Sequence, residues 1–222
     1  MNTRFFITGT DTGIGKTYFS GQLLQHLNAQ GQQTIALKPL ASGCERTEIG
    51  LRNEDACLLQ KAASIHLPYE KINPFAFEAP IAPHIAADLN KTAITAKKLA
   101  KACLPALNQP ADFYLIEGAG GWQVPLNRDE TWSDFVKAIQ AKVILVVGMR
   151  LGCINHALLS VESILQSGCH LVGWVANCMP PSMPHLQENI RYLTQKIKAP
   201  LLFGERGFAS GIGFDFTGRV QQ

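Results

Sequence analysis

Short apolar runs of strand length alternate along the chain with stretches of helical periodicity. Residues 4–8 form the first apolar run, and a glycine-rich loop follows it. From Lys16 onward the apolar positions recur with a helical period, which places Phe19, Leu23, Leu24 and Leu27 on one face. Gly31 is the residue type that commonly ends a helix. The N-terminal part therefore predicts a strand, a loop and a helix, in that order.

The same alternation continues almost to the end of the chain. Further strands are predicted over 34–38, 112–117, 142–147, 171–177 and 200–203, and further helices over 53–63, 154–166 and 186–196. The run 142–147 is apolar on both faces, as is typical of a central strand in a parallel sheet. Residues 73–83 contain three prolines and are predicted to be irregular. Strands alternating with helices predict one α/β domain over 1–222, a mostly parallel sheet flanked by helices.

Composition narrows the functional classes. The 222 residues are 46% hydrophobic and 17% charged, and 20 basic against 17 acidic residues give a net charge of +3. Basic residues form no cluster, which argues against nucleic acid as a partner. No apolar run has the length of a membrane span, and the N-terminus has no signal-peptide pattern, so no membrane association is expected. The six cysteines show no metal-ligand spacing and are expected to be reduced thiols in a cytoplasmic protein.

The most informative motif is Gly9-Thr10-Asp11-Thr12-Gly13-Ile14-Gly15-Lys16-Thr17, between the first strand and the first helix. It is a phosphate loop (P-loop) with five residues, rather than four, between its first glycine and Gly-Lys-Thr. Glycines let successive N–H groups point into one concavity, and the helix N-terminus adds partial positive charge. Lys16 can reach the outer phosphates, and the Thr17 hydroxyl can ligate Mg²⁺. The chain is therefore predicted to be a P-loop NTPase.

Two branches of P-loop proteins fit less well. Membrane-positioning and plasmid-partitioning ATPases carry a lysine early in this loop, where the present chain has Asp11. The Asn-Lys-x-Asp motif with which GTPases read their base is absent from the sequence. The loop therefore does not point to either branch.

Three charged residues are candidates for the chemistry beside the phosphates. Glu117 ends a predicted strand at the carboxyl edge of the sheet, where ligands collect in α/β folds, and could hold Mg²⁺. Asp55 lies at a helix start, where the helix dipole alone would favour a carboxylate. Lys38 closes an apolar strand and is either a surface residue or a stabiliser of charge in phosphoryl transfer. The residues by themselves leave these alternatives open.

Several segments together resemble one family, the dethiobiotin synthetases, which are ATP-dependent carboxylases of biotin synthesis. They occur in the family's order from residue 5 to about 202: the P-loop, Lys38-Pro39-Leu40-Ala41-Ser42-Gly43, Leu51-Arg52-Asn53-Glu54-Asp55-Ala56, Asn73-Pro74-Phe75, Pro83-His84, Glu117-Gly118-Ala119-Gly120-Gly121-Trp122, Leu151-Gly152-Cys153-Ile154-Asn155-His156-Ala157 and Gly173-Trp174-Val175-Ala176-Asn177. The P-loop is widely shared, whereas the Lys38, Glu117 and Gly152 segments in combination are specific.

The resemblance implies that 7,8-diaminononanoate, CO2 and ATP are converted to dethiobiotin, ADP and phosphate. It implies that Lys16 and Lys38 stabilise the transferring phosphoryl group and the carbamate, and that Thr12 and Ser42 donate hydrogen bonds to carbamate or substrate. Thr17, Asp55 and Glu117 are expected to place Mg²⁺. ATP contacts are expected from Thr12, Gly13, Ile14, Gly15, Lys16, Thr17, Asp55, Glu117, Gly118, Ala119, Gly120 and Asn177, with the Asn177 amide at the adenine edge.

The family resemblance also implies a homodimer. In the family, the segment that matches Gly152, Cys153, Ile154 and Asn155 binds the substrate carboxylate through backbone N–H groups across the subunit interface. A helix N-terminus is suited to an anion in this way. From the residues alone, Cys153 is better explained as a buried thiol, and His84, His156, Trp122 and Trp174 as structural residues.

The sequence departs from the family at three places. Gly13 stands where some members carry Glu, and Cys178 stands where some carry Asp. Phe203-Gly204-Glu205-Arg206-Gly207 does not match the family's Gly-x-Ile-Pro segment near the nucleotide base, so 204–222 is atypical. Two alternatives remain: an amide-forming synthetase of the cobyrinate type, for whose glutaminase domain the chain has no room, and a nucleotide-switch ATPase that recruits a protein partner.

Overall fold

A computed structural model describes residues 3–178, 183–204 and 207–208, together with the backbone of 213–214 and 220–221. The strands are β1 (Thr3–Gly9), β2 (Thr34–Leu37), β3 (Leu40–Ala41), β4 (Glu45–Thr47), β5 (Gly50–Arg52), β6 (Phe75–Ala76), β7 (Phe113–Glu117), β8 (Lys142–Gly148), β9 (Leu171–Asn177), β10 (Leu201–Gly204), β11 (Gly207–Phe208), β12 (Gly213–Phe214) and β13 (Val220–Gln221). The helices are α1 (Lys16–Ala29), α2 (Glu54–Ala62), α3 (Tyr69–Ile72), α4 (Pro83–Leu89), α5 (Ala96–Leu107), α6 (Trp132–Ala138), α7 (Cys153–Gln166) and α8 (Leu186–Lys196).

Seven strands form the main sheet in the order β11-β10-β9-β8-β1-β7-β2. All neighbouring pairs are parallel except β10 with β11, which confirms the predicted mostly parallel sheet. Because β1 lies between β7 and β8, the P-loop after β1 and the residues after β7 emerge side by side. This arrangement of the central strands places the predicted P-loop beside Glu117.

Helices cover both faces of the sheet, as predicted. On one face Phe19, Leu23, Leu24 and Leu27 of α1 are fully buried against Phe5 and Ile7 of β1. On the other face, α5 to α8 pack their apolar side chains around Phe6 and Tyr114. Residues 143–147 of β8 are buried on both faces, which confirms the prediction of a central strand.

The structure corrects the predicted elements in several places. Residues 73–83 are not irregular throughout, because Phe75–Ala76 pairs with Leu40–Ala41 and α4 begins at Pro83. Helices α3, α5 and α6 were not predicted. Helix α6 has a capping box between Thr131 and Asp134, a pattern that is readable in the sequence. Of the atypical segment 204–222, the part from 209 onward lies largely outside the described residues; before it, Phe208 stacks on His26 of α1.

Within the part of the chain that the structure describes, no helix combines the length and the apolarity needed to cross a bilayer.

Candidate active site

A cavity of about 740 Å³ opens at the carboxyl edge of the sheet. Its polar wall is formed by Thr12, Gly13, Gly15, Lys16, Thr17, Lys38, Ser42, Asn53, Asp55 and Gly120. Its apolar wall is formed by Ala41, Pro80, Ile81, Ala82, Pro83, Ala119, Val124 and Pro125. Residues from distant segments thus meet where the sequence predicted a phosphate site, and the apolar wall from 80–83 is a feature that the sequence did not predict.

The P-loop has a backbone that favours glycine at two positions. Gly13 and Gly15 have φ angles of 69° and 83°, in the left-handed region where other residues are strained. Gly15 directly precedes the first residue of α1 and has no side chain to cap the helix. The N-terminal N–H groups of α1 are therefore available to an anion in the cavity.

Lys16, the first residue of α1, is 7% exposed and lines the cavity. Its Nζ donates a hydrogen bond to the carbonyl oxygen of Asp11 at 3.0 Å. Burial, together with repulsion from Lys38, lowers the pKa of the Lys16 ammonium from 10.5 to about 8, against the attraction of nearby carboxylates. The carboxylates around Lys16 thus do not fully compensate its positive charge, and the negative charge of a polyphosphate would stabilise it.

Lys38 follows β2 and is buried within a network of charges. Its Nζ lies 2.7 Å from Glu117 Oε1 and 3.0 Å from Asp55 Oδ2. Burial by itself would lower the pKa of Lys38, but the two carboxylates outweigh burial and raise it above the ordinary value. Both the burial of Lys38 and its ion pairs with two carboxylates rule out the interpretation of it as a surface residue.

Glu117 is fully buried at the end of β7 and does not line the cavity itself, but it contacts the lining residues Thr17 and Lys38. Its Oε1 accepts hydrogen bonds from Lys38 and from Thr17 Oγ1, the latter at 2.9 Å, and its Oε2 accepts one from Ser20 Oγ at 2.7 Å. Ser20 was not singled out in the sequence, although it lies one helical turn after Thr17. These contacts fix Glu117 next to the P-loop hydroxyl.

Asp55 is the second residue of α2, whose N-terminus is capped by the Asn53 side chain. The Asp55 carboxylate points to Lys38 rather than to its own helix N-terminus. Burial raises the pKa of Asp55, but Lys38 and the Thr17 hydroxyl lower it more, so that the net shift is below the ordinary value. The ion pair with Lys38 therefore distinguishes Asp55 from an ordinary helix-start carboxylate.

The oxygen donors at this point fit a magnesium ion. Thr17, Asp55 and Glu117 offer one hydroxyl and two carboxylates, and both carboxylates already bind a cation, the Lys38 ammonium. Among the residues that the structure describes, no group of three or more His, Cys, Asp or Glu side chains could form an all-protein metal site. Proteins commonly hold Mg²⁺ with one or two carboxylates, and phosphate oxygens of the substrate complete the coordination.

Other predicted site residues lie outside the cavity lining. Asn177 is 2% exposed at the end of β9, and its Nδ2 donates to the Ile14 carbonyl of the P-loop at 2.7 Å. Gly152 precedes α7 with a φ of 95° and does not line the cavity. The Cys153 thiol is buried, and burial raises its pKa, as expected of an inert thiol. Ile154 and Asn155 occupy the same first turn of α7.

An ion pair that the sequence did not predict joins these two regions. Arg150, before α7, pairs with Asp11 of the P-loop. The other carboxylate oxygen of Asp11 accepts the Thr12 N–H at 2.7 Å. Gly118, a predicted site residue directly after β7, lies against Phe6, and a Cβ at position 118 would come within 2.6 Å of the Phe6 ring. The loop before α7 therefore touches the P-loop, although the first turn of α7 does not line the cavity.

Structural comparison shows the fold. The septum site-determining protein MinD from Pyrococcus horikoshii OT3, complexed with Mg-ADP, superposes with a TM-score of 0.55 at 17% identity, covering 92% of this chain and 82% of that chain. Chloroplast FtsY from Physcomitrella patens superposes with a TM-score of 0.53 at 16% identity, covering all of this chain, which spans 62% of the length of FtsY. These likenesses confirm the P-loop NTPase fold.

Sequence comparison shows the family. A family model described as an AAA domain matches residues 3–205. The ATP-dependent dethiobiotin synthetase BioD of Cellvibrio japonicus is 54% identical over 198 residues, which are 89% of this chain and 86% of that protein. The Aeromonas salmonicida protein of the same name is 47% identical over 221 residues, which are 99% and 97% of the two chains. The chain therefore belongs to the family of ATP-dependent dethiobiotin synthetases.

Proposed function

We propose that this chain closes 7,8-diaminononanoate and CO2 into the cyclic urea of dethiobiotin in the cavity at the carboxyl edge of the sheet, at the expense of ATP. The observation that carries the proposal is the pair of buried lysines, Lys16 and Lys38, held beside two carboxylates and the P-loop threonine. We also propose that one domain spanning 1–222 carries this chemistry, because the P-loop, Lys38 and Glu117 all follow strands of the same sheet.

The reaction divides into three balanced steps. One amine of the substrate forms a C–N bond with CO2 and loses a proton, which gives a carbamate. A carbamate oxygen then attacks the γ-phosphorus of ATP while the bond to the β-phosphate oxygen breaks, so that ADP leaves and a carbamic-phosphoric anhydride remains. The second amine attacks the carbonyl carbon of this anhydride, and phosphate leaves as the ring closes with loss of a proton.

The two lysines are suited to the negative charge of these steps. Lys16 lines the cavity from the helix N-terminus and would contact the outer phosphates. Lys38 would stabilise the carbamate and the transferring phosphoryl group, because preorganised cations need no rearrangement when charge moves. Thr12 and Ser42 line the same cavity and would donate hydrogen bonds to carbamate or substrate. The apolar wall around Pro80 would contact the hydrocarbon chain of the substrate.

Thr17, Asp55 and Glu117 would hold Mg²⁺. When bound, Mg²⁺ supplies positive charge that offsets the negative charge of the triphosphate oxygens. Gly13, Ile14, Gly15, Gly118, Ala119 and Gly120 would surround the nucleotide with backbone groups. Because Asn177 Nδ2 donates to the Ile14 carbonyl, the Asn177 Oδ1 is the atom that we assign to the adenine amino group. The six free cysteines fit a reducing compartment, and we infer a cytoplasmic location.

A direct assay tests the proposed function. Purified protein is incubated with Mg-ATP and bicarbonate, with and without 7,8-diaminononanoate, and both phosphate release and product mass are measured. We expect phosphate release that depends on the diamine, together with the mass of dethiobiotin. Hydrolysis that is independent of the diamine would contradict this function and support the alternative, a nucleotide-switch ATPase.

We further propose a homodimer in which the first turn of α7 completes the partner's site. Gly152, Cys153, Ile154 and Asn155 do not line the cavity of their own subunit, which supports a role toward another copy. The Cys153 N–H already donates to the Arg150 carbonyl, so the N–H groups of Ile154 and Asn155 are the donors assigned to the substrate carboxylate. The alkyl chain of the substrate would then extend from one subunit to the next.

Mixed dimers test this composite site. Lys16→Met removes a phosphate contact, and Asn155→Asp places a negative charge opposite the substrate carboxylate, so each variant alone should be nearly inactive. After subunit exchange, half of the dimers are mixed and each holds one intact site, which predicts about a quarter of wild-type activity. A mixture that stays as inactive as its components would show that Lys16 and Asn155 serve the same site from one subunit, or none.

A further inference from the structure

Behind the cavity, a chain of hydrogen bonds connects the segments that carry Lys38 and Asp55. The backbone N–H of Asn53 donates to the Tyr69 hydroxyl at 2.7 Å, and that hydroxyl donates to Asn73 Oδ1 at 3.0 Å. Asn73 Nδ2 in turn donates to the carbonyl oxygen of Lys38 at 2.6 Å. We call these three bonds the Tyr69–Asn73 relay. It gives a structural role to Asn73, the first residue of the Asn73-Pro74-Phe75 motif.

Both ends of the relay are attached to charged residues of the site through the backbone. At one end, Asn53 caps α2 by accepting the Ala56 N–H at 3.1 Å, and Asp55 lies two residues further along the chain. At the other end, the Lys38 N–H donates to the Ile72 carbonyl at 3.0 Å. Both backbone groups of Lys38 are thus bound by residues 72 and 73 at the C-terminal end of α3, the short helix that begins at Tyr69.

The relay is built to be rigid. Asn73 and Asn53 are 3% and 9% exposed, so their hydrogen bonds compete little with water. The Arg52 guanidinium lies 4.2 Å from the centre of the Tyr69 ring and holds the ring in place. Burial raises the pKa of Tyr69, which keeps its hydroxyl protonated and able to donate to Asn73.

We propose that Tyr69 and Asn73 are positioning residues that fix the distance between Lys38 and Asp55, and through it the geometry of phosphoryl transfer and magnesium binding. The Lys38 Nζ–Asp55 Oδ2 distance of 3.0 Å joins two side chains whose backbones belong to different elements. The two elements pack on each other directly, and hydrogen bonds between Thr34 and Ser64 join the start of β2 to the C-terminal end of α2. The relay adds the connection between the N-terminal end of α2 and Lys38 at the end of β2, so removal of the Tyr69 hydroxyl should loosen the spacing at that end. The kinetic part of this inference rests on the proposed function.

Tyr69→Phe tests the relay, because it removes the hydroxyl and keeps the ring on which Arg52 lies. Tyr114→Phe is the matched control: the Tyr114 hydroxyl is also bonded, to the Gln109 carbonyl, but at the end of β7 away from Glu117. We expect similar losses of thermal stability in both variants. Only Tyr69→Phe should lower kcat, by about tenfold, which is less than the roughly hundredfold that a misplacement of about 1 Å can cost. A wild-type kcat in Tyr69→Phe would overturn the proposal.

A double variant separates positioning from a general structural role. If Tyr69 acts through the spacing of Asp55 and Lys38, it has nothing to position once the Asp55 carboxylate is gone. Tyr69→Phe should then leave the kcat of Asp55→Asn unchanged, the non-additivity that indicates a shared mechanism. If instead the double variant loses kcat by the product of the two single-variant factors, the proposal is overturned.

Equilibrium binding provides a readout that does not depend on turnover. The affinity for ATP is measured by calorimetry with and without Mg²⁺ for wild type, Tyr69→Phe and Tyr114→Phe. We expect the gain in affinity that Mg²⁺ brings to fall several-fold in Tyr69→Phe alone, and an equal gain in all three proteins would refute the relay. A wild type that binds Mg-ATP but makes no dethiobiotin would refute the proposed function and leave this test of the relay intact.

Discussion

Replacing Lys38 by methionine is expected to lower kcat for dethiobiotin formation at least about a hundredfold, as loss of one preorganised electrostatic donor does in other enzymes. Methionine keeps most of the side-chain volume and removes the ammonium, with its charge and its hydrogen bonds to Asp55 and Glu117. The rate is measured as diamine-dependent phosphate release at saturating substrates. Lys61→Met, at an exposed lysine of α2, is the matched control and should keep the wild-type rate. A Lys38 variant with near-normal kcat would remove Lys38 from the mechanism.

The same substitution should also destabilise the protein. Glu117 is fully buried, and among the described residues the hydrogen-bond donors that remain to it without Lys38 are the Thr17 and Ser20 hydroxyls, with the charge of Lys16 nearby. Removing one partner of a buried ion pair lowers the free energy of unfolding by about 3–5 kcal/mol. We therefore expect the free energy of unfolding, measured in urea, to fall by this amount in Lys38→Met.

A double variant separates the effect of Lys38→Met on turnover from its effect on stability. Lys38→Met/Glu117→Gln removes the uncompensated carboxylate, so stability should recover. Because Glu117 is also a proposed Mg²⁺ ligand, turnover is compared with that of Glu117→Gln alone, and the double variant should turn over more slowly than this reference. Equal turnover in the two variants would mean that Lys38→Met is inactive only because it is poorly folded. An unchanged free energy of unfolding in Lys38→Met would show that the hydroxyl donors and the nearby charge of Lys16 compensate Glu117.

Lys16→Met is expected to reduce kcat/KM for ATP at least about a hundredfold, because the ammonium at the helix N-terminus has no substitute at the outer phosphates. Its effect on stability should have the opposite sign to that of Lys38→Met. Lys16 is a buried cation whose pKa is lowered from 10.5 to about 8, which corresponds to roughly 3 kcal/mol against the charged form in the ligand-free protein. Removing the charge should therefore stabilise the ligand-free protein.

The pH dependence of this stabilisation follows from the direction of the pKa shift. Below pH 8 Lys16 is charged in both the folded and the unfolded state, so its cost is fully present. Between pH 8 and 10.5 the folded state releases the proton first, and the cost disappears. The difference in free energy of unfolding between Lys16→Met and wild type should be largest at neutral pH and approach zero near pH 10.5. A difference that is independent of pH would contradict the shifted pKa.

The strand-and-helix alternation was sufficient to predict the main sheet, because its signals are local. Apolar runs, helical periodicity and the P-loop each lie within one continuous segment of chain. The short strands near Leu40 and Phe75 and the helix at Tyr69 were missed because they exist through contacts between segments. Proline content near residue 80 suggested only irregularity, whereas the folded chain uses that segment as the apolar wall of the cavity.

The sequence by itself determined the P-loop, the family resemblance and the candidate set of Lys16, Lys38, Asp55 and Glu117, since each belongs to a motif that can be read along the chain. Only the tertiary structure decided what Lys38 and Asp55 do in the ligand-free protein. The parallel order of the strands links residues 17, 117, 38 and 55, in that sequence, through a chain of hydrogen bonds. Burial there makes an ion pair of what could have been a surface lysine and a helix-start carboxylate. The charge and burial of a side chain are set by groups far away in sequence, and no local pattern records them.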